Sequence, residues 1–181
     1  CGITSRVVNP SSFTCANLGT SPVTVILSDQ SGNSEFCFAS VTVVDNTAPS
    51  ITCPANIAVN TDAGQCGALV NFAASATDNC TLSSLVQTGG AASGTQFPVG
   101  LSTISYIATD QSGNTSTCSF TITVTDAQNP TAVCQNVTVS LDNTGNGATT
   151  AAAVNNGSSD ACGIQSLALS KTSFNCGNVG A

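Results

Sequence analysis

An internal repeat constrains this chain more than any other feature of its sequence. Asp29-Gln-Ser-Gly-Asn33 recurs as Asp110-Gln-Ser-Gly-Asn114, 81 positions later. At the same offset Cys37 maps to Cys118, Asp45 to Asp126, Pro49 to Pro130 and Cys53 to Cys134. Asp62 maps to Asp142 and Asp78 to Asp160 after one-residue slips. A period of about 80 residues is that of small domains strung along one polypeptide. Residues 1–20 and 162–181 also agree at nine of twenty positions, including Cys1/Cys162 and Cys15/Cys176. The module between them lacks that cysteine spacing and reads Gln96-Phe97-Pro98-Val99-Gly100. Two module types therefore alternate, with a cycle of 161 residues. Residues 1–46 are expected to be the back half of one module, 47–126 a complete module, and 127–181 the front half of the next. That layout suits a window on a long tandem array. The alternative is a subunit that polymerises by completing split domains; its ends should be complementary, whereas here they duplicate.

Each module reads as β-structure. Ser119-Phe120-Thr121-Ile122-Thr123-Val124-Thr125 alternates polar and apolar residues, as do Val23–Leu27 and Ile104–Ala108. Ile57-Ala58-Val59 and Val137-Thr138-Val139 are shorter versions. This is the period of a strand with one buried face. Asp-Gln-Ser-Gly-Asn lies between two such runs and carries turn residues, so it predicts a hairpin loop. Ala151-Ala152-Ala153 is flanked by Thr149, Thr150 and Val154 and is read as strand by comparison with the alternating run 67–72. About seven short strands in 80 residues, with frequent turns, predict an all-β fold of tandem immunoglobulin-like β-sandwich modules stacked end to end.

Composition narrows what such modules can do. Only 6% of residues are charged, against about 25% in an ordinary soluble domain. The two bases are Arg6 and Lys171, there is no histidine, and the net charge is −7. That balance cannot cover a phosphate backbone, which argues against nucleic acid as a partner. Ser-His-Asp and Cys-His catalysis are unavailable, so the chain is read as no enzyme. No apolar run approaches the ~18 residues of a membrane span.

The order of motifs in the complete module resembles a known family. Ile51-Thr52-Cys53-Pro54-Ala55-Asn56-Ile57 opens it, Asp78-Asn79-Cys80 follows, and then come Phe97-Pro98-Val99-Gly100 and Ile104–Asp110. Ser112-Gly113-Asn114 and Cys118-Ser119-Phe120-Thr121 close it. This order is similar to the hyalin repeat, or HYR, domain over residues 47–126. The flanking modules resemble it partially: Cys134-Gln135-Asn136-Val137 replaces the Cys-Pro opening. The resemblance implies an immunoglobulin-like sandwich, an extracellular, cell-surface location and a role in adhesion, and the composition suggests a large bacterial adhesin.

Ten cysteines in a chain with 4% aromatics point to disulfides that staple a thin core, and so to an oxidising compartment. No C-x-x-C pair is present to suggest a thiolate metal site. The repeat makes Cys1–Cys15 and Cys162–Cys176 equivalent, and Cys66–Cys80 has the same step. The family resemblance implies a Cys53–Cys118 pair. Cys37 and Cys134 are then half-bridges whose partners lie outside the window.

Eight of the nine acids fall on repeated positions. In an immunoglobulin-like sandwich, Asp78 and Asp110 are expected where the chain enters the complete module, and Asp45 arrives there from the module before. Asp126 and Asp160 should meet likewise at the next junction. Carboxylates without nearby bases repel one another unless a cation sits among them, and calcium suits such oxygen ligands. Asp and Asn are also ordinary turn residues. No cofactor other than calcium is expected. The functional expectation is a non-catalytic, disulfide-stapled stalk or filament segment of a secreted adhesin. The alternative is a ligand-binding adhesive module of the same surface protein. The expected partners are neighbouring repeat modules, other copies of the filament, or cell-surface ligands.

Overall fold

The computed structural model describes residues 2–180. Its strands are β1 (Ile3–Asn9), β2 (Gly19–Asp29), β3 (Ser34–Val43), β4 (Ser50–Thr52), β5 (Ile57–Asn60), β6 (Gly67–Val70), β7 (Ser75–Thr77), β8 (Leu82–Gly89), β9 (Thr95–Pro98), β10 (Gly100–Asp110), β11 (Thr115–Thr125), β12 (Asn146–Ala148) and β13 (Ser173–Asn175). Residues 47–126 contain a four-stranded sheet in the order β5-β11-β10-β8, with short antiparallel pairs β4–β7 and β6–β9. β5 runs parallel to β11, with Ile57 opposite Ile122 and Val59 opposite Val124. This is the all-β, immunoglobulin-like architecture expected from the strand periodicity.

The chain forms two compact units. The first contains the chain through Ala55, with Ala73–Gly90 and Thr103–Phe120; the second contains Asn56–Phe72, Ala91–Ser102 and the chain from Thr121 onward.

In the first unit, β1, β2 and β3 form an antiparallel sheet in that order. Val23, Ile104, Ala108 and Phe120 are buried here. Ile104 and Ala108 share a face because strand side chains alternate. The β2–β3 and β10–β11 connections are the two Asp-Gln-Ser-Gly-Asn turns. In each, an aspartate carboxylate accepts from the asparagine four residues on, at 2.9 Å for Asp29–Asn33 and 2.7 Å for Asp110–Asn114. Gly90, at φ +83°, lies against the neighbouring strand, and a Cβ there would sit 2.6 Å from the Thr103 carbonyl.

In the second unit the core is Ala68, Val70, Phe97, Ile122 and Val124, of which Phe97 and Ile122 are fully buried. Phe72 meets Phe97 edge-on, with ring centroids 6.1 Å apart. β12 pairs with β13, placing Gly147 opposite Phe174, as β6 pairs with β9 and places Ala68 opposite Phe97.

Two local expectations need correction. Ala151–Val154 is a single helical turn, α1, not a strand. The β12–β13 register puts the strand earlier, at Asn146–Ala148. The alanines follow Thr150, whose hydroxyl caps the Ala153 N–H at 3.3 Å; alanine favours the helix once it is capped. Val137–Val139 is not in a strand either. Its counterpart β5 is a strand because it pairs with β11. No equivalent of β11 pairs with Val137–Val139 among the described residues.

Candidate metal centre and disulfide frame

Three carboxylates converge in the first unit. Asp45 follows β3, Asp78 follows β7 and Asp110 ends β10, and one oxygen from each lies within 4.8 Å of the others. The loops that carry them are tightly held. One carboxylate oxygen of Asp78, Oδ1, accepts from the Cys80 and Thr81 amides at 3.0 Å. Asp45 Oδ1 accepts from the Thr47 amide at 3.0 Å and from Asn79 Nδ2 at 3.3 Å. Asn114 Nδ2 donates to Asp110 Oδ2 at 2.7 Å and to the Asp45 carbonyl at 2.9 Å. These bonds leave Asp45 Oδ2 and Asp78 Oδ2 buried without a hydrogen-bond partner. Buried polar atoms are normally satisfied, and neither base of the chain forms an ion pair here.

Asp110 is only 3% exposed. Burial is the largest single influence on its carboxyl and opposes ionisation. The Asn114 side chain and amide, with the Gly113 and Ser112 amides, together outweigh it and hold the group below the usual carboxylate range. Asp110 therefore stays charged beside two other carboxylates, an arrangement that a divalent cation would neutralise.

The second unit brings together Asp126, Asp160 and the Cys162 sulfur. Asp126 Oδ1 accepts from the Gln128 amide at 3.0 Å, and Asp160 Oδ1 from the Cys162 amide at 2.8 Å. The sulfur is tied up in a disulfide and is no thiolate ligand, so this cluster has two carboxylates where the first has three.

The disulfide frame differs from the sequence reading. Cys15 bonds Cys80, Cys53 bonds Cys118 and Cys66 bonds Cys162. Cys53–Cys118 is the pair implied by the family resemblance. Cys66–Cys80 and Cys162–Cys176 do not form, and Cys15 does not bond Cys1, which lies outside the described residues. A fourteen-residue step recurs in the sequence, but spacing alone does not bring sulfurs together. Cys66 leads into β6 and Cys80 follows β7, in different compact units. The Cα atoms of Cys15 and Cys80 are 5.3 Å apart, and those of Cys66 and Cys162 are 4.7 Å apart, both within bridging range. Among the described residues Cys37, Cys134 and Cys176 are free and exposed.

Residues 44–124 match the HYR domain. The chain is similar to hyalin of Strongylocentrotus purpuratus, 36% identical over 111 residues, which is 59% of this chain and 9% of that protein. It is also similar to a serine-rich adhesin for platelets of Staphylococcus aureus (strain USA300), 34% identical over 125 residues, or 62% of this chain and 5% of that protein. The chain thus spans less than a tenth of either relative. An HYR segment stapled by three disulfides belongs outside the cytosol, and the protein is extracellular. No helix among the described residues is long and apolar enough to cross a membrane.

Proposed function

We propose that this chain is a non-catalytic segment of a cell-surface adhesin stalk. It is built from modules 1–46, 47–126 and 127–181, and calcium rigidifies their junctions. The carrying observation is the meeting of Asp45, Asp78 and Asp110 with two buried, unpartnered carboxylate oxygens. Asp45 ends one module, while Asp78 and Asp110 belong to the next. A cation held by all three joins consecutive modules, and the Asn114–Asp45 hydrogen bond already supports that join. The similarity to hyalin and to the platelet adhesin supports an adhesive setting. Neighbouring modules are then the principal partners, and Asp126 with Asp160 marks the next junction.

The test is calorimetric titration of calcium into chelator-treated protein. The expected result is one saturable site that Asp78→Asn abolishes. Absence of binding at millimolar calcium would overturn the metal reading and leave these aspartates as turn formers.

A second reading, direct ligand binding, has one observation in its favour. Phe36 and Phe38 are 58% and 75% exposed and pack edge-on, where the repeat has Thr117 and Ser119. A surface aromatic pair of this kind can stack on a sugar ring or a partner side chain. Loss of cell adhesion in a Phe36→Ser, Phe38→Ser variant that retains its melting temperature would favour that reading.

A further inference from the structure

We infer that the Cys15–Cys80 disulfide is a redox latch on the cluster of Asp45, Asp78 and Asp110. Closed, it holds the three acids in one place; open, it lets them part. The cation affinity of the cluster then depends on the oxidation state of this one bond. The metal arm of the latch rests on the calcium reading proposed above, whereas the coupling of the bond to the carboxylates stands on geometry alone.

Residues 78–81 carry the disulfide and reach all three acids or their immediate neighbours. The Cys80 and Thr81 amides donate to Asp78 Oδ1, both at 3.0 Å. Asn79 Nδ2 donates to Asp45 Oδ1 at 3.3 Å and lies 3.4 Å from the Cys80 sulfur. One amide group therefore bridges the bond and a carboxylate. The Cys15 sulfur sits 3.5 Å from the Asn79 carbonyl oxygen. The Thr81 carbonyl accepts from the Gln111 amide at 3.0 Å, next to Asp110.

Like charge gives the latch something to hold against. One oxygen from each acid lies within 4.8 Å of the others, and Asp45 Oδ2 and Asp78 Oδ2 are buried without partners. Carboxylates this close repel one another. The bond keeps the Cα atoms of Cys15 and Cys80 5.3 Å apart and so holds residues 78–81 against Asp45. With the bond open the loop can withdraw and the repulsion relaxes. Coupling between two equilibria is reciprocal. If closing the bond tightens cation binding, a bound cation must make the bond harder to reduce. Replacing one carboxylate by an amide should do the same without any metal.

The second unit repeats the construction. Asp160 lies with Asp126, its Oδ1 accepts from the Cys162 amide at 2.8 Å, and Cys162 is bonded to Cys66. In both units a bridged cysteine follows a cluster aspartate by two residues and donates its amide to it. The partner cysteines are unlike: Cys15 opens a 3-10 turn, whereas Cys66 leads into β6. Two different staples thus converge on one kind of loop. Ala161 stands where Asn79 stands and has no amide to bridge sulfur and carboxylate, so coupling is weaker there.

Opening the bond takes a small dithiol. Its two thiols become one disulfide, and two electrons and two protons pass to Cys15 and Cys80, which become thiols. The full chain is equilibrated at pH 7 with graded ratios of reduced to oxidised dithiothreitol, alkylated, and mapped by mass spectrometry. Saturating calcium is expected to raise the ratio that half-opens Cys15–Cys80 about ten-fold and to leave Cys53–Cys118 unmoved. In chelator, Asp45→Asn should raise that ratio above the wild-type value. Calorimetric titration of a Cys15→Ser, Cys80→Ser variant should give a calcium affinity about ten-fold weaker than that of the oxidised protein. The redox midpoints carry the test if that variant does not fold. Equal midpoints for Asp45→Asn and wild type in chelator, or an equal calcium shift at Cys53–Cys118, would overturn the latch. Calcium binding that leaves the Cys15–Cys80 midpoint where it was would also overturn it and leave the calcium reading standing. If the oxidised protein binds no calcium while Asp45→Asn still raises the midpoint, the calcium reading falls and the latch on the carboxylates stands.

Discussion

Asn114 holds the main chain at Asp45: its side-chain amide donates to the Asp45 carbonyl at 2.9 Å, across 69 residues of sequence. The same amide nitrogen clamps Asp110 at 2.7 Å. One side chain therefore fixes the turn that presents one carboxylate and the segment that presents another. Asn114→Ala is expected to weaken calcium binding about ten-fold without removing any candidate ligand, whereas Asn114→Asp should place a fourth carboxylate at the cluster and raise calcium dependence. Calcium titrations of the two variants check this.

Removing one carboxylate should remove the metal-linked stabilisation. Calcium at 100 times its dissociation constant stabilises a folded state by about 2.7 kcal/mol. The melting temperature of the protein is expected to fall on adding chelator, and those of Asp45→Asn and Asp110→Asn to be indifferent to it. Asp45→Asn should also melt above chelated wild type, because it relieves repulsion among the three acids. Calorimetric melts with and without chelator decide the point.

The disulfides should dominate thermal stability. Closing a 65-residue loop, as Cys15–Cys80 and Cys53–Cys118 each do, restricts the unfolded chain by about 4 kcal/mol in the chain-entropy model. Reduction is expected to lower the melting temperature by tens of degrees. Non-reducing peptide maps should contain Cys15–Cys80 and Cys66–Cys162 but no Cys66–Cys80 peptide.

Gly90 tests the packing of the first unit. Its φ of +83° and the 2.6 Å approach of the Thr103 carbonyl to any Cβ leave no room for a side chain. Gly90→Ala is expected to destabilise the protein by about 2–4 kcal/mol, combining backbone strain with overpacking. Denaturant midpoints measure this, with Gly2→Ala, where a Cβ meets nothing, as the neutral comparison.

Acid should loosen the turns. Asn33 hydrogen bonds hold Asp29 below the usual carboxylate range, and those from Asn146 and Thr144 do so for Asp142. A carboxyl whose pKa is lowered on folding stabilises the fold above its unfolded value, near 3.8, and that contribution is lost as pH falls through the folded value. Stability is therefore expected to decline below about pH 4, and Asp142→Asn should flatten the decline. Urea midpoints between pH 5 and pH 2 follow it.

The repeat and the alternation foretold the sheet because both depend on local chemistry. Phe120, Ile122 and Val124 alternate with Ser and Thr, and all three are buried. The Asp110–Asn114 turn closes on its own residues. The convergence of Asp45, Asp78 and Asp110 could be anticipated only by placing each on a turn of an assumed fold. The disulfides were less legible. Repetition shows which cysteines are equivalent, but the partner of Cys15 is decided by a Cα distance to Cys80 that no spacing encodes. Val137–Val139 carries a strand pattern and forms none, since a strand requires a neighbour as well as a propensity. The exposed pair Phe36 and Phe38 was missed, although their replacement of Thr117 and Ser119 was there to be read in the repeat alignment.

The crossed disulfides have a consequence for how far the protein can be stretched. Along the backbone, the 147 residues from Cys15 to Cys162 would draw out to about 500 Å. With Cys15–Cys80 and Cys66–Cys162 closed, the shortest covalent route runs from Cys15 to Cys80, back through fourteen residues to Cys66, and across to Cys162. Fully taut, that route measures about 60 Å. Tension applied at those two points would bypass the β5–β11 ladder and most of the core, so both could melt under load while the link between the ends stayed short, until one sulfur–sulfur bond was reduced.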